Sequence, residues 1–230
     1  MKINKNDGIT EIKLLYWGMA GSGKTTIIDT LYKITKSQKK EMGQLISIEP
    51  KGELKKIGAK SGATLYFDRG FFQSKFHKTV NYHVFTVAGQ NSFSPLRLRI
   101  FEGTDGVIFV VDSQTHFFED NIESLKELKN VARGKLITEI PLIVMLNKQD
   151  LENVIHVEDF IQVLKNEKLW NEPNDELYMW NPIIYETCAL FDKKKNIYQS
   201  FSELARRTQI YKTYGKGKAP LKEIMSDVPI

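Results

Sequence analysis

Short runs of consecutive apolar residues alternate along this chain with stretches of amphipathic, helical character. The runs have the length of strands buried on both faces, and the stretches between them carry a single apolar stripe. Glu11 to Trp17 reads as a first strand and Lys24 to Lys36 as a first helix. Thr64 to Phe72 and Asn81 to Val87 read as neighbouring strands joined by the polar turn Gln73 to Thr79. Gly106 to Asp112 and Pro141 to Leu146 are buried-strand runs, with a helix over roughly Phe118 to Arg133 between them. A helix around Val157 to Asn166, a strand at Ile183 to Glu186 and a helix at about Asn196 to Tyr211 complete the series. Such alternation predicts an α/β fold around a mostly parallel sheet, here of six or seven strands flanked by helices.

Two segments break the pattern. Ser37 to Ala63 is rich in Lys and Gly, with scattered apolar residues and no sustained period, and is expected to be a mobile functional loop. Lys212 to Ile230, with two glycines and two prolines, is expected to be a loosely held tail, so that one domain spans residues 1–211.

Composition narrows the class. With 230 residues, 41% apolar and 27% charged, the chain can bury a full core as one domain. No apolar run approaches a membrane span, and the start Met-Lys-Ile-Asn-Lys-Asn-Asp has no signal-peptide core, which predicts a cytoplasmic protein. The single Cys188 can form no internal disulfide, and His77, His83, His116 and His156 are scattered without metal-site spacing. Neither a lipidation cysteine near the C-terminus nor a myristoylation glycine is present. The formal net charge of +5 is matched by one segment alone: Lys33 to Lys60 holds eight lysines and three glutamates. Such a patch suits a solvated loop, an acidic partner or an anionic membrane, and membrane association stays open. No aromatics interleave with the lysines, so nucleic acid is not expected as a partner.

Gly18-Met-Ala-Gly-Ser-Gly-Lys24-Thr25 completes the phosphate-loop pattern G-x-x-x-x-G-K-[ST] directly after the first strand and before the first helix. Gly18, Gly21 and Gly23 permit backbone angles that turn amide hydrogens inward around phosphate oxygens, with Ala20, Ser22 and Thr26 in the same loop and helix start. The helix dipole adds a positive end there. In this geometry Lys24 reaches the terminal phosphates and the Thr25 hydroxyl ligands magnesium.

Asn147-Lys148-Gln149-Asp150 follows the Pro141 to Leu146 strand, at the sheet edge where such folds hold ligands. The Asp150 carboxylate can accept from both N1–H and the exocyclic amine of guanine, donors that adenine does not offer there, for a discrimination of about 10⁴. Lys148 lies along the base and Asn147 ties the loops. Glu186-Thr187-Cys188-Ala189 at the last strand's end brings the Ala189 amide, with Cys188 and Leu190, to the guanine oxygen. The third element, Thr86-Val87-Ala88-Gly89-Gln90, places Gly89 to sense a γ-phosphate and Gln90 to orient an attacking water.

The order of these motifs resembles the Ras-like small GTPases, a branch of the P-loop NTPases, and within them the MglA-type prokaryotic GTPases. The likeness rests on Tyr16-Trp17-Gly18, Thr64-Leu-Tyr-Phe-Asp68, Thr86 to Gln90 and the strand ending Val111-Asp112-Ser113, and runs over about Lys13 to Arg206. It implies a G domain that binds GTP and GDP with magnesium and switches between the two, catalysed by Gln90, Lys24 and Gly89. It implies that Thr64 reaches magnesium when the γ-phosphate is present. It also implies an activating partner of the roadblock type.

Departures qualify it. Thr86 stands where an acidic residue usually holds the magnesium's water shell, and Asp68 is either the substitute or a strand-end residue in a turn with Arg69. Ala63 stands where MglA-type proteins carry a catalytic arginine, worth about 10³ to 10⁵ in rate, so intrinsic hydrolysis should be slow. Arg69, Arg97 or a partner's arginine are the candidate substitutes, with a surface salt bridge the preferred reading of each. The alternative is a GTP-bound scaffold that does not turn over. Trp170 and Trp180 bracket an insertion with Tyr178 and Met179, either a partner surface or a cover for the sheet edge.

Overall fold

Every residue from Gly106 to Asp112 is buried, as an unbroken apolar run requires of a strand covered on both faces. Around it the computed structural model describes residues 3–4, 8–37, 40–41, 43–57, 67–86 and 94–225, with backbone only at 3–4, 55–57, 67–69, 94–96 and 225. In chain order the elements are β1 (Ile3–Asn4), β2 (Ile9–Trp17), α1 (Lys24–Ser37), β3 (Lys40–Glu41), β4 (Gln44–Leu45), β5 (Ile48–Pro50) and β6 (Lys55–Ile57). They continue with β7 (Phe67–Ser74), β8 (Val80–Thr86), α2 (Ser94–Phe101), β9 (Gly106–Asp112), α3 (Phe118–Ala132) and β10 (Leu142–Asn147). α4 (Val157–Asn166), β11 (Ile183–Glu186), α5 (Ile197–Thr213) and α6 (Lys222–Met225) close the series.

The central sheet runs β11-β10-β9-β2-β8-β7-β5, with β1 against β2 and β6 against β7. Strands from β11 to β8 are parallel, while β7 is antiparallel to β8, β5 and β6. This is the α/β, mostly parallel seven-strand arrangement expected of a G domain. Alternation along β2 divides the core. Ile12, Leu14 and Tyr16 face α1 and α5, packing with Leu31, Phe201 and Leu204. Leu15 and Trp17 face the other layer, with Phe109, Leu125 and Phe160.

The segment expected to be a mobile loop is corrected in part. β3 and β4 pair as a small ribbon, β5 and β6 both pair with β7, and Ile46 and Ile48 are buried. The Tyr198 hydroxyl on α5 accepts from Ser47 N at 2.6 Å, so side chains far away in sequence organise residues with no period of their own. Residues 38–39, 42 and 58–63 lie outside the described residues. The strand β7 also extends two residues into the expected turn, through Ser74, because Gln73 is buried against Asn81.

Helix α2 was not expected from sequence. Its weak amphipathy is offset by tertiary contacts: the buried Arg97 guanidinium lies 4.4 Å above the Trp17 ring and pairs with Glu127 on α3. Burial lowers the Arg97 pKa and raises that of Glu127, each opposed by its partner. Trp180 is buried, its Nε1 donating to Pro220 O at 2.7 Å, so of its two readings it is a cover and not a partner surface; Tyr178 and Met179 are exposed. Beyond residue 211, Lys212 pairs with Asp105 at 2.6 Å and Ala219 N donates to Thr138 O at 2.7 Å. Among the described residues no helix is long and apolar enough to cross a membrane.

Candidate functional site

From β2 the chain goes first to β8 and β7 on one side and later to β9, β10 and β11 on the other. The carboxyl end of β2 is therefore where strand order reverses, the crevice in which open α/β sheets hold ligands. The loop from Gly18 to Lys24 occupies it. Gly18 has φ 155° and a Cβ there would lie 2.2 Å from Val110 O, while Gly23 has φ 97° and its Cβ would lie 2.4 Å from Asn147 Nδ2. No other residue fits either place, so the loop closes tightly on β9 and β10.

Within this cradle Lys24 is buried, and its ammonium donates to Gly18 O at 2.8 Å, Met19 O at 2.6 Å and Ser22 Oγ at 3.4 Å. Ala20 and Gly21 are open to solvent, as are Thr25 and Thr26 at the start of α1, whereas Ser22 is buried. A glycine-shaped concavity with an oriented cation and a helix N-terminus fits a phosphate chain.

The adjacent strand ends add polar groups in register. Asn147 Nδ2 donates to Ser22 O at 2.8 Å, fastening the loop to the end of β10. Thr187 Oγ1 donates to Leu146 O at 3.3 Å, and Thr30 Oγ1 on α1 donates to Ala189 O at 2.6 Å, joining the β11 loop to α1. Lys148 adopts φ 69°, in the left-handed region, and its ammonium reaches Asp112 Oδ2 at 2.6 Å. Such a conformation at a non-glycine residue costs of order 1 kcal/mol and is held here by that ion pair. Asp150 lies two residues on, 16% exposed, with Lys193 at 3.5 Å.

The β11 loop folds back on itself where Cys188 and Lys195 exchange backbone hydrogen bonds. Cys188 and Ala189 are buried and Leu190 is half exposed. Burial pushes the Cys188 thiol up, a backbone hydrogen bond from Leu190 opposes this, and the Asp150 carboxylate beside it adds to the rise, so the thiol stays protonated.

The structure thus brings Gly18 to Thr26, Asn147, Lys148, Asp150 and Cys188 to Leu190 around one crevice. Thr64, Gly89 and Gln90 lie outside the described residues, as does the side chain of Asp68. The Asp68 backbone belongs to β7, next to Arg69, which pairs with Phe85 just before Thr86. Asp112 entered the sequence reading only as the end of a strand that carries the likeness, with no role in the site. It is 1% exposed, holds Lys148 through Oδ2 and accepts from Gln114 N and Nε2 at 3.3 and 3.0 Å through Oδ1. Its backbone is clamped by Asn121, whose Oδ1 accepts from Asp112 N and whose Nδ2 donates to Asp112 O, each at 2.9 Å. The signal was an acidic residue closing an apolar run.

Residues 63–208 match the model of the ADP-ribosylation factor family. The chain is also 33% identical over 178 residues to mutual gliding-motility protein MglA of Myxococcus xanthus (strain DK1622), covering 73% of this chain and 82% of that protein. A family model spanning more than half of the chain, and identity of this degree across most of both proteins, agree with the crevice: the chain belongs to the ADP-ribosylation factor family of Ras-like small GTPases, as a GTP-hydrolysing switch related to MglA.

Proposed function

We propose that this GTPase holds guanine nucleotide with the phosphates in the loop Gly18 to Thr26 and the base against Asp150, Lys148 and the Cys188 to Leu190 loop. The single observation that carries this is the hydrogen bond from Asn147 to Ser22 O, which locks the base-side motif to the phosphate-side motif in one rigid unit. Lys24 binds the β- and γ-phosphates, and the loop amides share the negative charge that develops on them. Asp112 keeps Lys148 extended along the base plane. Gly89 senses the γ-phosphate and Gln90 orients the attacking water.

Magnesium fits the helix start, where the exposed Thr25 hydroxyl supplies one ligand; Thr64 and Asp68 are the other candidates. When bound, the ion neutralises charge on the phosphate oxygens. Turnover is slow in the isolated chain, because Ala63 leaves it without an arginine in that position. A protein partner, a roadblock-type homodimer by likeness to the MglA-type proteins, accelerates it, and the site of action is the cytoplasm.

Single-turnover hydrolysis of GTP tests this reading. Slow turnover in the native chain that Gln90→Leu lowers by about 10² or more, with nucleotide binding retained, is the expected result. ATP binding as tight as GTP, or turnover untouched by Gln90→Leu, overturns it.

A further inference from the structure

The turn between β7 and β8 is Lys75-Phe76-His77-Lys78-Thr79, and all five side chains are exposed. Phe76, at 62%, is the most exposed large apolar side chain among the described residues. A lone exposed apolar residue on a loose loop would mean little. Here the backbone beneath it is tied on every side. His77 N donates to Ser74 Oγ at 3.1 Å, Gln73 Nε2 to Lys78 O at 2.6 Å and Val80 N to His77 O at 2.8 Å. Lys75 N donates to Ser47 O at 2.8 Å and Thr10 N to Thr79 O at 2.7 Å, which fixes the turn to its neighbours. The phenyl ring is therefore held outward by a rigid support.

The contact with Ser47 brings a second apolar group alongside. Leu45, two residues earlier, is 51% exposed and pairs with the exposed Lys40. Its carbonyl accepts from the Tyr198 hydroxyl at 3.3 Å, so it too is anchored. Lys75 and Lys78 flank Phe76 in the turn, and Lys40 lies across the ribbon from Leu45. Glu41 is buried, and the exposed Glu49 lies opposite Gln73, further from the tip.

We propose that this tip is a docking surface for an anionic lipid bilayer, with Phe76 and Leu45 entering the interface and Lys40, Lys75 and Lys78 on the headgroups. Two apolar side chains set among lysines are too few for the core of a protein interface, which needs roughly 800 Å² per partner. One inserted aromatic combined with several lysines is the two-part signal that reversible membrane binding uses. The placement suits the switch. Six residues of β8, Val80 to Phe85, separate the tip from Thr86, which pairs with Tyr16 beside the phosphate loop. At about 3.3 Å per residue the nucleotide crevice stands some 20 Å from the docked end and faces away from the bilayer. Part of the basic segment between Lys33 and Lys60 thereby acquires a ligand class.

Sedimentation of the full chain with phosphatidylcholine vesicles, with and without phosphatidylglycerol, tests this in the GDP-loaded and GTP-analogue-loaded forms. Binding is expected on the anionic vesicles alone, weakening as salt rises. Phe76→Ser should lower affinity about tenfold. The double variant Lys75→Glu, Lys78→Glu should lower it by at least about 25-fold, at roughly fivefold per lysine. Both changes sit on exposed side chains, and unchanged GTP binding and melting temperature confirm that the variants are folded. The proposal is overturned if the native chain binds neither vesicle, binds both equally, or binds anionic vesicles unaffected by Phe76→Ser; the first result would leave the tip to a protein partner.

Discussion

Asp112 and Asp150 stand at the ends of neighbouring stretches of the same crevice, yet their carboxylates are used in opposite ways. Asp112 is 1% exposed and commits both oxygens inside the protein, to Lys148 at 2.6 Å and to Gln114. Asp150 is 16% exposed, with the Cys188 thiol beside it and Lys193 at 3.5 Å, a side chain that is itself 62% exposed. A carboxylate saturated by fixed partners is architecture. One with a loose, solvent-facing partner can exchange it for a ligand at small cost, because an exposed ion pair contributes only about 0–1 kcal/mol. Burial and saturation, not residue type, separate the group that builds the site from the group proposed to read the base.

The largest effect that could break this contrast is on specificity. Asp150→Asn should weaken GTP binding by about 10³ and shift preference toward xanthine nucleotide, whose base edge matches the changed donors. Equal loss for both nucleotides, measured by competition, would mean that Asp150 is structural like Asp112. Asp112→Asn should do the converse, lowering stability by about 2 kcal/mol through loss of the Lys148 pair and lowering affinity for every nucleotide without altering their ratio. A denaturant titration alongside the same competition checks it.

Glu203 on α5 extends the comparison to a committed carboxylate away from the crevice. Burial alone would raise its pKa, but hydrogen bonds and charges from Arg206 and Arg207 outweigh that and hold it below its ordinary value. A depressed folded pKa contributes stability that is present above the unfolded value and is lost as pH falls through the folded one. Glu203→Gln should cost about 1–2 kcal/mol at neutral pH, and the gap from the native chain should close in acid, as melting curves across that range would show. The smallest effect is expected for Lys193→Ala, with GTP affinity changed by no more than about threefold. A larger loss would make Lys193 part of base recognition.

Much of this was legible in the chain. The wholly buried run Gly106–Asp112 and the helix Val157–Asn166 need only local pattern, and the structure has both. The phosphate loop was legible because Gly18 and Gly23 are demanded by contacts with Val110 O and Asn147 that no larger residue could make. Helix α2 was not, since its place depends on Arg97 lying on Trp17 and pairing with Glu127, side chains brought there by β2 and α3. β5 escaped for the same reason, being ordered by Tyr198 from the far end of the chain.

By itself the sequence determined the fold class and singled out the residues proposed to surround a phosphate and the carboxylate proposed to match guanine, because those requirements are written in residue type and short spacing. Tertiary structure alone decided which groups are spent on architecture. It buried Asp112 to hold Lys148, buried Trp180 under Pro220 and left Phe76 outside on a fixed turn. Burial and hydrogen-bond saturation arise only when distant segments meet, so no local pattern carries them.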